Sequence, residues 1–263
     1  MVTVRNKILQ MIVLGLFPLT LSVQAQESRS ACAGLPDHAA LQAALSAAQA
    51  EDNAGFGLHM WGTVVNRDGV VCAVAFTGSE RGDQWPGSRV ISAQKANTAN
   101  AFSLPGLALS TANLWASVQP GGSLFGLQHS NPVDTDTAYG GNSARNGRPN
   151  DFMVGKKIGG VNVFGGGLPL YNSQGVLIGA VGVSGDTSCA DHAVAWRTRH
   201  NLGLDHVPAG VTGDAAHPDN IIYDLVDDAG GNPESPSGFG HPHCLDSAAE
   251  DAVAAALPSV PAP

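Results

Sequence analysis

The sequence predicts an α+β fold, in which a mainly antiparallel sheet packs against helices and a long loop-rich extension follows at the C-terminus. The predicted elements run in the order helix, hairpin, helices, hairpin, helix, which is typical of this class. The composition indicates a turn-rich chain, because 33 residues are Gly and only 13% are charged. Hydrophobic residues make up 43% of the chain, which is enough to build a buried core.

The first predicted helix and hairpin occupy residues 37–76. Apolar side chains recur at helical spacing from Leu41 to Ala48, which predicts an alanine-rich helix at 37–52. Residues 56–65 and 70–76 have the pattern of strands, and Asp68-Gly69 between them supplies the positive φ of a hairpin turn. The remaining predicted elements are helices at 88–102 and 110–118, strands at 168–171 and 176–183, a helix from Asp186 or Thr187 to about His200, and a short strand at 220–226.

The chain divides into three predicted segments: a signal peptide at 1–25, a domain at 26–200, and an extension at 201–263 that packs on the same domain. The tail after Leu257 is rich in Pro and Ala, which predicts a disordered end. Residues 120–156 are irregular and rich in Gly, Asn, Asp and Ser. A loop of this length within a compact domain is either functional or poorly ordered.

The N-terminal residues have the pattern of a secretory signal. Arg5 and Lys7 precede an apolar run at 8–23, and small residues stand at the cleavage positions before Gln26. The alternative is a retained membrane anchor, but the run of roughly 16 residues is short of the ~20 that cross a bilayer. We therefore expect a periplasmic or secreted protein with no membrane span after cleavage.

The charge of the mature chain excludes one class of partner. The signal segment holds two of the 13 basic residues and none of the 22 acidic ones, so its removal takes the net charge from −9 to −11. An acidic surface repels a phosphate backbone, so nucleic acid is not an expected partner.

Four cysteines remain after export: Cys32, Cys72, Cys189 and Cys244. An even number in an oxidising compartment indicates two disulfides, and the sequence allows three connectivities. We favour Cys32 with Cys244, which would tie the two ends together, and Cys72 with Cys189.

Three stretches together resemble the GlcG/HbpS-like family of heme-binding proteins, which includes the C-terminal domain of PduO-type proteins. They are the hairpin at 64–71, the helix at 91–102 with its Lys-Ala-Asn-Thr-Ala-Asn-Ala-Phe sequence, and the glycine-rich segments at 166–170 and 178–185. The resemblance implies an α+β fold, assembly into homo-oligomers, and binding of heme or a related tetrapyrrole. The loop at 126–151, the extension at 201–257 and the four cysteines exceed the usual family domain.

Heme iron takes an axial ligand such as His within an apolar pocket, and several histidines are candidates. His59 is predicted on the first strand, where alternation places it on one face with Trp61 and places Met60 on the other. His129 lies in the long loop, which could fold over a ligand. His192 is in the first turn of the last predicted domain helix, where a heme propionate would be favoured by the helix dipole. Each of these has an ordinary structural interpretation as well.

Lys95 and Thr98 match the Lys and Thr of the family helix and share one helix face. Lys95 could pair with a propionate or with a carboxylate of a partner subunit, and a role in helix packing is an equal alternative. His241 and His243, two residues apart in an extended segment, are candidate ligands for copper or zinc. A disulfide-anchored loop is the alternative at that position.

Other chemistries find little support in the sequence. The glycine-rich segments lack a following Gly-Lys-Ser/Thr, which argues against nucleotide binding, and Gly182-Val183-Ser184-Gly185 is not a complete nucleophile motif. The leading hypothesis is an exported heme-binding protein for storage, transfer or sensing. The alternatives are an enzyme on the same scaffold, acting on a small organic substrate or degrading heme, and an iron- or redox-responsive partner of a membrane sensor.

Overall fold

The computed structural model describes residues 31–228 and 230–261. The predicted signal peptide and the cleavage position before Gln26 lie outside the described residues. None of the helices in the described part of the chain has the length and apolar character that a membrane span requires.

The centre of the fold is a four-stranded antiparallel sheet with the spatial order β2-β1-β4-β3. The strands are β1 (Trp61–Asn66), β2 (Val71–Phe76), β3 (Gly167–Tyr171) and β4 (Leu177–Ser184). The first hairpin closes through Asn66, whose side-chain oxygen accepts from the backbone N–H groups of Asp68 (3.0 Å) and Val70 (2.9 Å). Gly69 adopts φ +74°, the left-handed conformation that the turn requires.

Helices cover both faces of this sheet. The helices α1 (His38–Gln49) and α5 (Ser188–Asn201) pack on one face, and α2 (Ser88–Phe102) packs on the other. Strand alternation divides the side chains between the two cores, so that Met60 lies in the core with α1 while Trp61 lies in the core with α2. The shorter elements are α3 (Leu127–Ser130), α4 (Thr135–Tyr139), β5 (Val226–Asp227), β6 (Pro233–Glu234), α6 (Ser247–Ala255) and 3₁₀ turns at Ala112–Leu114, Ala116–Val118 and Ser143–Arg145.

The predicted α+β fold is confirmed, and the main helices and both hairpins lie where the sequence places them. Asp37 caps α1 by accepting from Ala40 N–H at 2.9 Å, and Thr187 caps α5 by accepting from Ala190 N–H at 3.2 Å. Such caps satisfy amide groups that the first helical turn leaves unpaired.

Two predicted elements differ from the structure. Residues 110–118 form two 3₁₀ turns instead of an α-helix, because Asn113 Oδ1 bonds both the N–H and the hydroxyl of Ser110 and tightens the chain locally. The strand predicted at 220–226 is reduced to Val226–Asp227, which pairs with β6. The C-terminal extension, predicted to be loop-rich, also contains the helix α6.

The predicted disulfide pairing is wrong. Cys32 bonds Cys72 and Cys189 bonds Cys244. Cys32 precedes α1, and α1 packs beside β2, which carries Cys72. The extension folds back so that Cys244 reaches the first turn of α5. Each bond therefore fastens a flanking segment to the sheet-and-helix core, and the two ends of the chain are not joined.

The long loop and the C-terminal tail are both anchored to the core. Asp151 is buried and forms an ion pair with Arg89 of α2, and it also accepts from the N–H groups of Gly147 and Met153. Residues 258–261, which were predicted to be disordered, pack instead: Val260 is buried and its N–H donates to Ala216 O at 2.9 Å. Trp196 Nε1 donates to Pro258 O at 2.8 Å.

Candidate functional site

An aromatic cleft of about 290 Å³ opens at the surface beside the long loop. Its walls come from the 3₁₀ segment, from α3 and the turn before it, and from the chain that leads into β3. The lining residues are Trp115, Val118, Gln119, Pro120, Phe125, Gly126, Gln128, His129, Val163 and Phe164. The cleft therefore combines aromatic and apolar walls with the polar side chains of Gln119, Gln128 and His129.

The Phe164 wall is fixed by the backbone around it. Thr111 Oγ1 donates to Phe164 O and accepts from Gly167 N–H at 2.8 Å, which ties the 3₁₀ segment to the start of β3. Gly165 must be glycine, because a Cβ there would lie 2.3 Å from Ser188 O. This close packing against α5 holds the Phe164 side of the cleft in place.

His129 stands at the rim of the cleft. Gly126 adopts φ +87° and turns the chain into α3, which carries His129. The side chain is exposed and makes no hydrogen bond to another described residue, so its nitrogens are available to a ligand. Phe125 and Phe164, which line the same cleft, are 63% and 44% exposed, so two large apolar rings face solvent there.

A wider groove of about 730 Å³ adjoins the cleft and shares Gln119 and Pro120 with it. Asp228 and Glu234, from the β5–β6 hairpin, line its far side. Among the described residues that line the cleft and the groove, none is Lys or Arg.

Behind the cleft lies a buried His241. Its ring centroid is 6.2 Å from that of Trp115, and its Nδ1 donates to Pro242 O at 2.7 Å. Burial lowers the pKa of His241 to about 4, so the ring is neutral. His243 points elsewhere: it stacks on Tyr223 at 4.1 Å and its Nε2 lies 3.0 Å from Asp251 Oδ1. The sequence suggested that His241 and His243 bind one metal ion together, but in the structure their rings contact different partners.

His192 is also buried, which differs from the propionate contact that its position predicted. Its Nε2 lies 3.1 Å from Asn220 Oδ1, and burial lowers the pKa of His192 to about 3. A neutral imidazole enclosed in this way packs the extension against α5. It does not line the aromatic cleft.

Lys95 and Thr98 are interior residues as well. Lys95 Nζ lies 2.7 Å from Asp191 Oδ2 and donates to Val183 O at 3.2 Å, and both charged side chains are almost fully buried. Burial raises the pKa of Asp191 to about 6, against the opposing effect of Lys95. Thr98 Oγ1 donates to Gln94 O and accepts from Asn162 N–H. In this structure Lys95 of α2 is therefore paired within its own chain, with Asp191 in the first turn of α5.

His59 precedes β1 and does not line the cleft. Its Nδ1 lies 3.1 Å from Thr77 Oγ1, in a half-buried position. A separate hollow of about 460 Å³ lies beside β2 and is lined in part by His38. His38 Nε2 already donates to Gly147 O at 2.8 Å, and no Phe, Trp or Tyr is among the described residues that line this hollow. The cleft at His129 differs from this hollow in having aromatic walls and an imidazole without a hydrogen-bond partner among the described residues.

Of the residues that line this cleft, the sequence interpretation named only His129. Trp115, Phe125 and Phe164 were missed because they come from separate irregular segments without periodicity. The one sequence feature that could have identified the two phenylalanines as cleft residues is a glycine directly after each of them, in Leu124-Phe125-Gly126 and Val163-Phe164-Gly165.

A four-stranded antiparallel sheet with helices on both faces makes this chain an α+β protein. The model of the family described as "Haem degrading protein HbpS-like" matches residues 37–199, and the chain belongs to this HbpS-like family. This confirms the resemblance found in the sequence.

Three solved structures are similar to the chain. The PduOC:heme complex is 22% identical, with 62% of this chain and 89% of that chain covered and a TM-score of 0.42. Klebsiella pneumoniae protein ORFY is 24% identical, with 76% of this chain and 97% of that chain covered and a TM-score of 0.40. HbpS is 18% identical, with 77% of this chain and 99% of that chain covered and a TM-score of 0.39. No curated protein matches the chain.

Proposed function

We propose that this chain is an exported heme-binding protein, and that the aromatic cleft at His129 binds the porphyrin. The observation that carries the proposal is an exposed imidazole without a hydrogen-bond partner among the described residues, placed beside exposed aromatic rings. Membership of the HbpS-like family supports the ligand class. Export rests on the N-terminal sequence, and homo-oligomer formation stays a prediction of the family resemblance.

The residues present suit a heme. Trp115, Phe125 and Phe164 offer flat apolar surfaces against which a porphyrin can pack. His129 would supply the axial nitrogen, and heme when bound supplies an iron that accepts it. The cleft alone is at the small end of the ~300–1,000 Å³ typical of ligand sites, so we expect the ring to extend over the adjoining groove. With acidic residues there, the propionates are expected to face solvent.

A hemin titration followed by the visible spectrum tests this proposal. The expected result is a Soret band shifted from that of free hemin, which saturates at one heme per chain. His129→Ala should weaken binding at least about tenfold, or ~1.4 kcal/mol, and should remove the shift that imidazole ligation causes. Phe125→Ala should weaken binding while the shifted band remains.

His59→Ala and His38→Ala are the matched controls, because both histidines lie outside the cleft. Absence of a saturable shift in the wild-type protein would refute heme binding. A normal shift in His129→Ala that is lost in His59→Ala would refute the cleft and restore the ligand that strand alternation suggested. Loss of the Soret band with turnover under reductant would assign degradation to the site.

A further inference from the structure

A second cluster of ligating side chains lies behind the cleft. The Sγ atoms of Cys189 and Cys244 and a ring nitrogen of His241 all lie within 4.8 Å of one another. Cys189 and His241 are buried, and Cys244 is partly exposed. Two sulfurs and one imidazole form a donor set typical of Zn²⁺, in which three protein ligands leave a fourth position open. In the oxidised protein the two sulfurs are bonded to each other and cannot serve as thiolates.

Two polar groups lie against Cys244 Sγ. The N–H of Cys189, in the first turn of the 14-residue helix α5, points at Cys244 Sγ at 3.2 Å, and Ser188 Oγ lies 3.4 Å from the same sulfur. The structure therefore holds two polar groups in position around the sulfur that reduction would release.

The three ligands are held in place by contacts other than the disulfide. The N–H groups of Cys244 and Leu245 donate to the buried carboxylate of Glu250 at 2.9 and 2.7 Å. The N–H of His241 donates to Ile222 O at 2.8 Å. Cys189 belongs to α5, whose helical bonds fix its backbone. None of these backbone contacts involves the two sulfur atoms, and the Cα atoms of the two cysteines lie 6.1 Å apart.

We propose that reduction of the Cys189–Cys244 disulfide creates a Zn²⁺ site formed by Cys189, Cys244 and His241. A dithiol reductant supplies two electrons and two protons: the disulfide becomes two thiols, and the reductant becomes a disulfide. Binding of Zn²⁺ then releases two protons, forms two Zn–S bonds and one Zn–N bond, and leaves water in the fourth position. This site uses side chains other than those that line the cleft at His129.

Cobalt is the probe, because Co²⁺ takes zinc's place in a thiolate site and absorbs light. The protein is reduced with a phosphine, freed of reductant without oxygen, and titrated with Co²⁺. The expected result is a sulfur-to-cobalt charge-transfer band that saturates at one Co²⁺ per chain and disappears when Zn²⁺ is added. The unreduced protein should show no band.

Variants distinguish this site from other binding. The double variant Cys32→Ser, Cys72→Ser keeps only the relevant cysteines and should bind Co²⁺ as the reduced wild type does. His241→Ala should weaken binding at least about tenfold, while its matched control His243→Ala should bind normally. The proposal is overturned if the reduced protein gives no charge-transfer band, or if His241→Ala binds Co²⁺ as tightly as His243→Ala does. If reduction abolishes the native near-ultraviolet circular dichroism spectrum, Co²⁺ binding should restore it. Co²⁺ binding without that recovery also overturns the proposal.

Discussion

At the scale of single residues, Lys95 shows how a motif residue acquires its role from its neighbours. The sequence identified it by its match to the family helix and left a propionate contact, a subunit contact and helix packing open. In the structure its charge faces Asp191 in the protein interior, 2.7 Å away. A pair buried in this way is costly to break, because removal of one partner leaves an uncompensated charge.

Lys95→Met is expected to lower the free energy of unfolding by about 3–5 kcal/mol, measured by chemical denaturation. Adding Asp191→Asn should recover part of this loss, because the remaining buried charge is removed. Hemin affinity of the folded variant should stay within about twofold of wild type, since Lys95 does not line the cleft. Lost hemin binding with unchanged stability would instead favour the propionate contact.

His129 illustrates the opposite case at the same scale. Its place in a long polar loop was enough to make it a candidate ligand. The aromatic partners were not evident, because nothing in a loop sequence shows which distant loop it faces. Trp115 and Phe164 belong to segments far apart in the chain, and the hydrogen bonds of Thr111 bring those segments together.

At the scale of elements, the contact between α2 and β4 depends on the absence of a side chain. A Cβ at Gly182 would lie 2.0 Å from Ser92 O and 2.4 Å from Ala96 N, both in the backbone of α2. The glycine therefore allows the helix to lie directly against the strand. The glycine-rich sequence at 178–185 does not by itself show which element lies against the strand.

Gly182→Ala is expected to destabilise the protein by about 3 kcal/mol or more, because backbone atoms must move to admit the methyl group. Gly106→Ala is the matched control, because a Cβ there meets nothing within 4 Å and its φ is not in the left-handed range. Thermal or chemical denaturation measures both. Equal stability of the two variants would show that α2 can shift freely over the sheet.

At the scale of the whole molecule, stability depends on buried titratable groups. Burial lowers the pKa of His192 from 6.5 to about 3 and that of His241 to about 4. Below pH 6.5 the unfolded chain binds protons at these histidines that the folded chain excludes, so acid destabilises the fold. Asp191 acts in the opposite direction, because burial raises its pKa from 3.8 to about 6 and the folded chain takes up its proton first.

Between roughly pH 6 and pH 4 the unfolded chain binds two more protons than the folded chain at the two histidines, and one fewer at Asp191. The unfolded chain therefore binds about one proton more than the folded chain in this window. The free energy of unfolding should therefore fall by roughly 1.4 kcal/mol for each pH unit in this window, as measured by denaturation at several pH values. His192→Gln removes one of the two excluded protons and should flatten the slope there. A wild-type stability that rises on acidification would contradict this balance.

The sequence by itself determined the fold class, the family, and the positions of both hairpins and the main helices. These follow from periodicity, turn residues and caps, which act over a few neighbouring positions. Only the tertiary structure decided the disulfide partners, the burial of Lys95, His192 and His241, and the walls of the cleft at His129. Those features join residues far apart in the chain, and their energies depend on which surfaces meet after the extension and the long loop fold back on the sheet.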